Sequence, residues 1–300
     1  MKMNSEDGIK DFLRKRAGYL KWSARKLADY FKWDIETTVK VLESLKDTPK
    51  LEKKKPLYVK RVQNKPVKKQ LPKPYLKGDK HNVLVIADTH EPFSREGYLE
   101  FCRKIQEKYN CGRVVHIGDE VDNCAVSQYS KDPDGFSAGT EAAMALDGMQ
   151  RWYEVFPEAL VCIGNHSARM FRMAHEAGLP KRFLKSYEEI WNAPRGWKWS
   201  ESWDIDGVHY THGTGTSGPN AAMKIALQRR QSVVIGHIHS EATIQYNVSN
   251  VDRVFGMIVG SGVDDSAYAF NYAKDTIKKS VISCAVVLEG RLPIIELMEL

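Results

Sequence analysis

The sequence predicts a mixed α/β domain preceded by a small helical one. From residue 81 onward, short apolar strands recur and each closes in a polar cluster: NVLVIADTH (82–90), RVVHIGDEVDN (113–123), ALVCIGNH (159–166), GVHYTHG (207–213), SVVIGHIH (232–239) and RVFGMIVGSG (253–262). Helix-like stretches at 95–109 and 138–154 separate the early strands, and such alternation builds an α/β sheet. Charge then divides the chain, because residues 1–80 hold 23 Lys and Arg against 10 Asp and Glu, while residues 81–300 hold 22 against 28.

Taken in order, residues 5–47 read as three short helices. Ser5 or Asp7 starts the first, which carries Ile9, Phe12 and Leu13 at helical spacing. Ser23 caps a second with Leu27, Ala28 and Phe31. After a break at Lys32-Trp33-Asp34, the third carries Ile35, Val39, Leu42 and Leu45. A tight turn before the last helix resembles a helix-turn-helix, with residues 50–61 as a wing-like hairpin. The third helix presents Glu36, Thr37, Lys40, Glu43 and Lys46, a mixed face that suits a protein-binding bundle equally well. Residues 52–80 contain eleven Lys and Arg and four Pro with little apolar periodicity, the composition of a semi-extended linker. The expected division is a helical domain at 1–50, a basic linker or wing at 51–80, and the α/β domain at 81–300. The basic segment points to nucleic acid as a partner for residues 1–80, with a solvated tether as the plainer alternative.

In the second half, Asp206-Gly207 is a hairpin signal, and the strand pairs that follow suggest mixed or antiparallel sheet. Residues 217–230 read as an amphipathic helix rather than a phosphate-binding loop. No apolar run approaches the ~18 residues of a membrane span, and the N-terminus lacks the apolar core of a secretory signal. The five cysteines show no CxxC spacing. They read as reduced thiols, and the expected location is cytoplasmic.

Ligands in an α/β domain collect at the carboxyl ends of strands. Five strands deliver metal-binding side chains there: Asp88 and His90; Asp119; Asn165; His212; and His237 with His239. Any one histidine is ordinary, but five coincidences at one topological position are not. Imidazole and carboxylate without thiolate suit manganese foremost, with iron or zinc as alternatives. Seven ligands exceed what one tetrahedral zinc requires, and two divalent ions sharing a carboxylate fit better.

The motifs DxH (88–90), GDxxD (118–122), GNH (164–166), HG (212–213) and GHxH (236–239), in this order, resemble those of the calcineurin-like metallophosphoesterases. Gly260-Ser261-Gly262 is similar to that family's late Gly-Ser turn. The resemblance covers about the last 220 residues and implies a four-layer α/β/β/α sandwich hydrolysing phosphoesters. It also implies that Asp88, His90 and His239 hold one metal, that Asn165, His212 and His237 hold the second, and that Asp119 bridges both. His166 would lie over the phosphate and donate to it, oriented by Asp122. Dividing His237 from His239 requires the backbone to turn within GHxH. The family usually has Asp or Glu after GNH. Here Ser167 follows, and it is expected to cap the helix at 168–177 in place of the acid.

The expected activity is that of a phosphodiesterase or nuclease on nucleic acid. The alternatives are a phosphomonoesterase guided to protein or nucleotide, and a non-catalytic scaffold that keeps its metal site. Arg169 and Arg172 are candidates to reach a substrate phosphate, with solvent-facing arginines as the plainer alternative. The segment 182–203, with Trp191, Trp197, Trp199 and Trp203, reads as an apolar cap over the site or a base-stacking platform. His116 is expected to be structural, His209 is ambiguous, and Cys124 is a plausible neighbour of the ligands.

Overall fold

The computed structural model describes residues 6–15, 23–46, 71–127, 135–268 and 279–299, so the wing expected at 50–61 and most of the linker lie outside the described residues. The chain divides into two units, 1–65 and 66–300.

In the first unit, helices α1 (Glu6–Lys15), α2 (Ala24–Phe31) and α3 (Ile35–Lys46) pack around Ile9, Leu13, Leu27 and Val41. The Ser23 hydroxyl accepts the Lys26 N–H at 3.3 Å and opens α2, which ends at Lys32 in the left-handed region. Asp34 opens α3 by accepting the Thr37 N–H at 2.8 Å. The inward face of α3 differs from the expected one. Thr38 and Val41 are buried, while Ile35 and Val39 are exposed. The Thr38 hydroxyl can go inside because it donates to the Asp34 carbonyl at 2.7 Å, which meets the hydrogen-bonding need of a buried hydroxyl.

The second unit holds two sheets. The first contains β1 (Asp79–Ile86), β2 (Cys111–His116), β3 (Ala159–Cys162), β4 (Trp197–Ser200), β10 (Ser283–Leu288) and β11 (Leu292–Leu297), in the order β11-β10-β1-β2-β3-β4. Strands β1 to β4 run parallel, and β10 and β11 close the edge antiparallel. The second contains β5 (Ser202–Ile205), β6 (Val208–Thr211), β7 (Ser232–Ile235), β8 (Thr243–Val248) and β9 (Arg253–Ile258), in the order β5-β6-β7-β9-β8. Asp206-Gly207 closes the β5–β6 hairpin, both residues at positive φ (49° and 81°) as a two-residue type I′ turn demands.

Alternation sorts the second sheet's faces. Val234, Phe255 and Met257 point into a core shared with Val83 to Ile86 of β1. Their neighbours Val233, Ile235, Val254 and Ile258 pack instead on α8 (Ala221–Arg229) through Ala221, Ala222 and Ala226. Helices α4 (Tyr98–Lys108) and α5 (Ala138–Val155) send Tyr98, Cys102, Met149 and Trp152 into the shared core from the first sheet's side. The result is the expected α/β/β/α layering. Shorter helices α6 (Arg169–Glu176), α7 (Tyr187–Ile190) and α9 (Asp265–Tyr268) lie in the loops. Among the described residues, no helix is long and apolar enough to cross a membrane.

The tryptophan segment is neither cap nor platform. Trp191 and Trp197 are buried in the core, and the Trp197 and Trp203 indoles donate to the carbonyls of Phe156 (2.7 Å) and Val161 (3.0 Å). Buried Tyr98 ties β1 to β10, since its hydroxyl accepts from Ala87 N–H at 3.1 Å and donates to the Ser283 carbonyl at 2.7 Å. Tyr98→Phe leaves both backbone groups unpaired in the core, so urea unfolding should show a loss of about 1–3 kcal/mol. An unchanged midpoint would remove this tie from the fold's stability.

Candidate metal centre

The parallel strands of both sheets end on one side, and the residues just past their ends converge. Asp88 lies beyond β1, Asp119 beyond β2, Asn165 beyond β3, His212 beyond β6, and His237 and His239 beyond β7. Their ligand atoms form two groups. Asp88, His90 and His239 place theirs within 4.8 Å of one another, and so do Asp119, His212 and His237. Asn165 joins the second group, its Oδ1 lying 3.0 Å from His212 Nε2. Asp119 Oδ2 stands between the groups, 3.0 Å from His212 Nε2 and 3.9 Å from His90 Nε2.

The turn needed inside GHxH is present, with His237 at φ 66°. His90 (48°) and Asp119 (49°) share this left-handed conformation, which non-glycine residues seldom adopt. Two motif glycines explain themselves by space. A Cβ on Gly164 would stand 2.0 Å from Asp119 Oδ1, and one on Gly236 would stand 2.2 Å from Asp88 Oδ1. Each acid therefore lies against backbone where only glycine fits. The Asp119 Oδ1 facing Gly164 accepts the backbone N–H of His166 at 2.7 Å and of Ser167 at 3.3 Å. This locks the GNH turn onto the GD turn.

The imidazoles are held as ligands need to be. His90 Nδ1 is 2.8 Å from Asp122 Oδ1, and His212 Nδ1 donates to the Ile117 carbonyl at 3.1 Å. In both rings the second nitrogen is thereby turned toward the cluster, as carboxylate or carbonyl partners of metal-binding histidines arrange it. Asp122 Oδ1 also lies 2.8 Å from His166 Nδ1, the pairing expected from sequence. That the same oxygen serves His90 was not anticipated.

Charge is concentrated and dry. Asp88, Asp119, Asp122, His90 and His212 are all buried. Burial opposes ionisation of Asp119, yet His212 and His166 hold its carboxyl well below the usual range. Burial likewise opposes a charge on His212, but Asp119 and Asp88 outweigh it and push the ring up to about 9. Burial and the neighbouring His166 take His90 down to about 4. In the absence of other cations, a proton on His212 therefore balances the carboxylates. Asp88 Oδ1 is buried with no hydrogen-bond partner among the described residues, which leaves it available to an ion. An oxygen and imidazole donor set, a bare carboxylate oxygen and oriented ring nitrogens together fit divalent metals.

Ser167 departs from its expected role. Position 168 starts helix α6 with no side-chain cap, and the Ser167 hydroxyl instead donates to Glu120 Oε2 at 2.6 Å. Trp199 Nε1 donates to Glu120 Oε1 at 3.0 Å. Burial pushes the Glu120 carboxyl up to about 7 against both hydrogen bonds. The acid side chain beside GNH thus comes from Glu120, through the serine. His116 is structural, its Nε2 lying 3.0 Å from the Thr89 hydroxyl. His209 pairs with Asp204 across the β5–β6 hairpin at 3.0 Å. Cys124 is a neighbour of the site, its sulfur lying within 4.8 Å of carboxylate oxygens of Asp122 and Glu141 and its N–H donating to Glu141 Oε1 at 2.7 Å.

Residues 81–241 match the family described as calcineurin-like phosphoesterase. The chain belongs to that family. Its members are hydrolases of phosphoester bonds that work through a dinuclear metal centre. No curated protein matches the chain. Similar solved structures include a single mutant of Vps29 from Entamoeba histolytica (12% identity, TM-score 0.33, covering 69% of this chain and 87% of that one). Vps29 from Chaetomium thermophilum is similar at 10% identity and TM-score 0.35, with coverage of 69% and 81%. The Pseudomonas putida nuclease MPE is similar at 13% identity and TM-score 0.31, with coverage of 72% and 88%.

Gly164→Ala should drive the new methyl into Asp119 and break the centre. Elemental analysis of the Mn²⁺-loaded variant is expected to show fewer than two ions per chain, and retention of both would contradict the close packing described.

Proposed function

We propose that the chain is a dinuclear-metal phosphodiesterase or nuclease acting on nucleic acid. In this reading Asp88, His90 and His239 hold one ion, Asn165, His212 and His237 hold the other, and Asp119 bridges them. Manganese is the foremost candidate on the donor set, with iron or zinc as alternatives. Bound there, the pair would offset the charge on the phosphate and make a water acidic enough to attack near neutral pH.

The protein's own groups handle the departing oxygen. As the ester P–O bond breaks, the leaving oxygen needs a proton. His166 supplies it from Nε2 while Nδ1 keeps its hydrogen bond to Asp122. Asp122 is a positioning residue here. Its carboxyl is held below the ordinary range despite burial, through hydrogen bonds to His166 and His90, so it stays an acceptor. One carboxylate oxygen then sets the ring angle of both a metal ligand and the proton donor.

The observation behind a nucleic-acid substrate is the charge division. A net charge of +13 in residues 1–80 precedes a net of −6 in the remainder, and clustered Lys and Arg supply the sequence-independent attraction to phosphate backbones. The mixed face of α3, where exposed Ile35 and Val39 flank Glu36, Lys40 and Glu43, favours the alternative of a phosphomonoesterase whose N-terminal region binds a protein.

A substrate panel separates the two. The Mn²⁺-loaded enzyme should hydrolyse bis(p-nitrophenyl) phosphate and cleave at least one of single-stranded DNA, duplex DNA or RNA. Turnover confined to p-nitrophenyl phosphate and phosphopeptide would establish the alternative. Replacing Lys53, Lys54, Lys55, Lys68 and Lys69 by Gln should weaken nucleic-acid binding. The log–log salt slope should fall by about 1 for each lysine–phosphate pairing that the substitutions remove. Turnover of the small diester should be unaffected.

A further inference from the structure

The geometry points to Arg169 as a second catalytic residue, a guanidinium that donates to a non-bridging oxygen of the substrate phosphate beside His166. Residue 169 lies outside the five motifs named above. The inference rests on the phosphoester-hydrolase reading but not on nucleic acid as substrate.

Arg169 is the first residue of α6 and is only 5% exposed, unusual for an arginine. Its Nη1 donates to the Asp122 carbonyl at 2.9 Å, and its Nη2 lies 3.1 Å from His166 Nε2. A guanidinium can only donate, so Nε2 is the acceptor in this contact. The His166 proton then sits on Nδ1, facing Asp122 Oδ1. In the resting site the hydrogen-bond donor at the working edge of His166 is therefore Arg169 and not the imidazole.

These distances constrain the substrate. A phosphate oxygen that approaches His166 Nε2 along the direction Arg169 Nη2 now fills, 3.1 Å away, comes within reach of both nitrogens. The guanidinium is also pre-positioned, because Asp122 holds it through the main chain while holding His166 through the side chain. A planar, permanently charged fork in a dry site is well suited to a phosphate, and its attraction is little screened there. Once the phosphate oxygen accepts from Nη2, the His166 Nε2 lone pair is released. A proton from solvent can then add to Nε2, and its transfer to the leaving oxygen as the P–O bond breaks returns the ring to its Nδ1–H form.

Arg172, three residues on, has a different place. It is exposed, and its guanidinium donates to the Asn165 carbonyl at 3.0 Å. It supports the backbone of Asn165 rather than facing His166.

Arg169→Gln and Arg169→Lys are to be compared with Arg229→Gln in the Mn²⁺-loaded full-length enzyme, using both p-nitrophenyl esters and inhibition by inorganic phosphate. Arg169→Gln should lower kcat by about 10²-fold, the usual cost of removing one oriented donor. It should also weaken phosphate inhibition at unchanged metal content. Arg169→Lys should recover part of the loss, and Arg229→Gln, at the exposed end of α8, should stay close to the parent. Arg169→Ala should regain activity with added methylguanidine. Values of kcat and phosphate inhibition within about threefold of the parent for Arg169→Gln would overturn the inference. So would a loss of kcat with unchanged phosphate inhibition and no rescue by methylguanidine, since that pattern marks a scaffold role. Because both readouts use phosphate or a small ester, a negative substrate panel on nucleic acid would leave this result readable.

Discussion

The site depends on one buried carboxylate that must satisfy two imidazoles. Asp122 Oδ1 lies 2.8 Å from Nδ1 of His90 and 2.8 Å from Nδ1 of His166. The first contact turns His90 Nε2 toward Asp88 and His239, and the second turns His166 Nε2 outward to Arg169. The carbonyl of the same residue receives that arginine. His90, His166 and Arg169 are thus referenced to a single residue, so their mutual spacing does not depend on flexible side chains finding one another. In a water-excluded site, fixed dipoles and charges of this kind need little reorganisation during reaction.

A second constraint is steric. Four loop tips must approach so closely in pairs that backbone faces carboxylate oxygen directly. Gly164 makes room for Asp119 and Gly236 for Asp88, while His90, Asp119 and His237 adopt left-handed backbone to aim their side chains inward. Such conformations cost of order 1–3 kcal/mol each and persist when the surroundings over-determine them. Here the surroundings are the two sheets, packed on a continuous apolar core directly beneath. Electrostatics adds a third cost, since three buried carboxylates gathered in one place require positive charge. The ring of His212 supplies it when no other cation does, and the same need makes the centre a good host for metal ions.

The side chains that gather in the two groups are legible in the sequence because each sits at a strand end, and strand ends are marked by abrupt changes from apolar to polar residues. Short spacings such as those in DxH and GHxH also survive as local geometry. What was not legible depends on contacts between distant segments. Glu120 meets Ser167 across 47 residues and Asp122 meets His90 across 32. Nothing local to GNHS says that the serine will serve a buried acid rather than a helix terminus. The tryptophans of 182–203 were misjudged for a related reason. Their density suggested a surface role, but the indole N–H groups of Trp197, Trp199 and Trp203 find carbonyl and carboxylate partners inside, which offsets the cost of burying them, while Trp191 Nε1 is buried without a partner among the described residues. In α3, Thr38 displaced Ile35 and Val39 from the expected core face because its hydroxyl is satisfied by the preceding turn.

The central claim is that two neighbouring metal sites share Asp119 and are oriented through Asp122. Crystals of the Mn²⁺-loaded protein, measured for anomalous scattering at the manganese edge, test it most directly. Two peaks about 3.5–4 Å apart are expected. One should be bounded by Asp88, His90 and His239, the other by Asn165, His212 and His237, with Asp119 between them. A single peak, or two peaks without Asp119 between them, would contradict it.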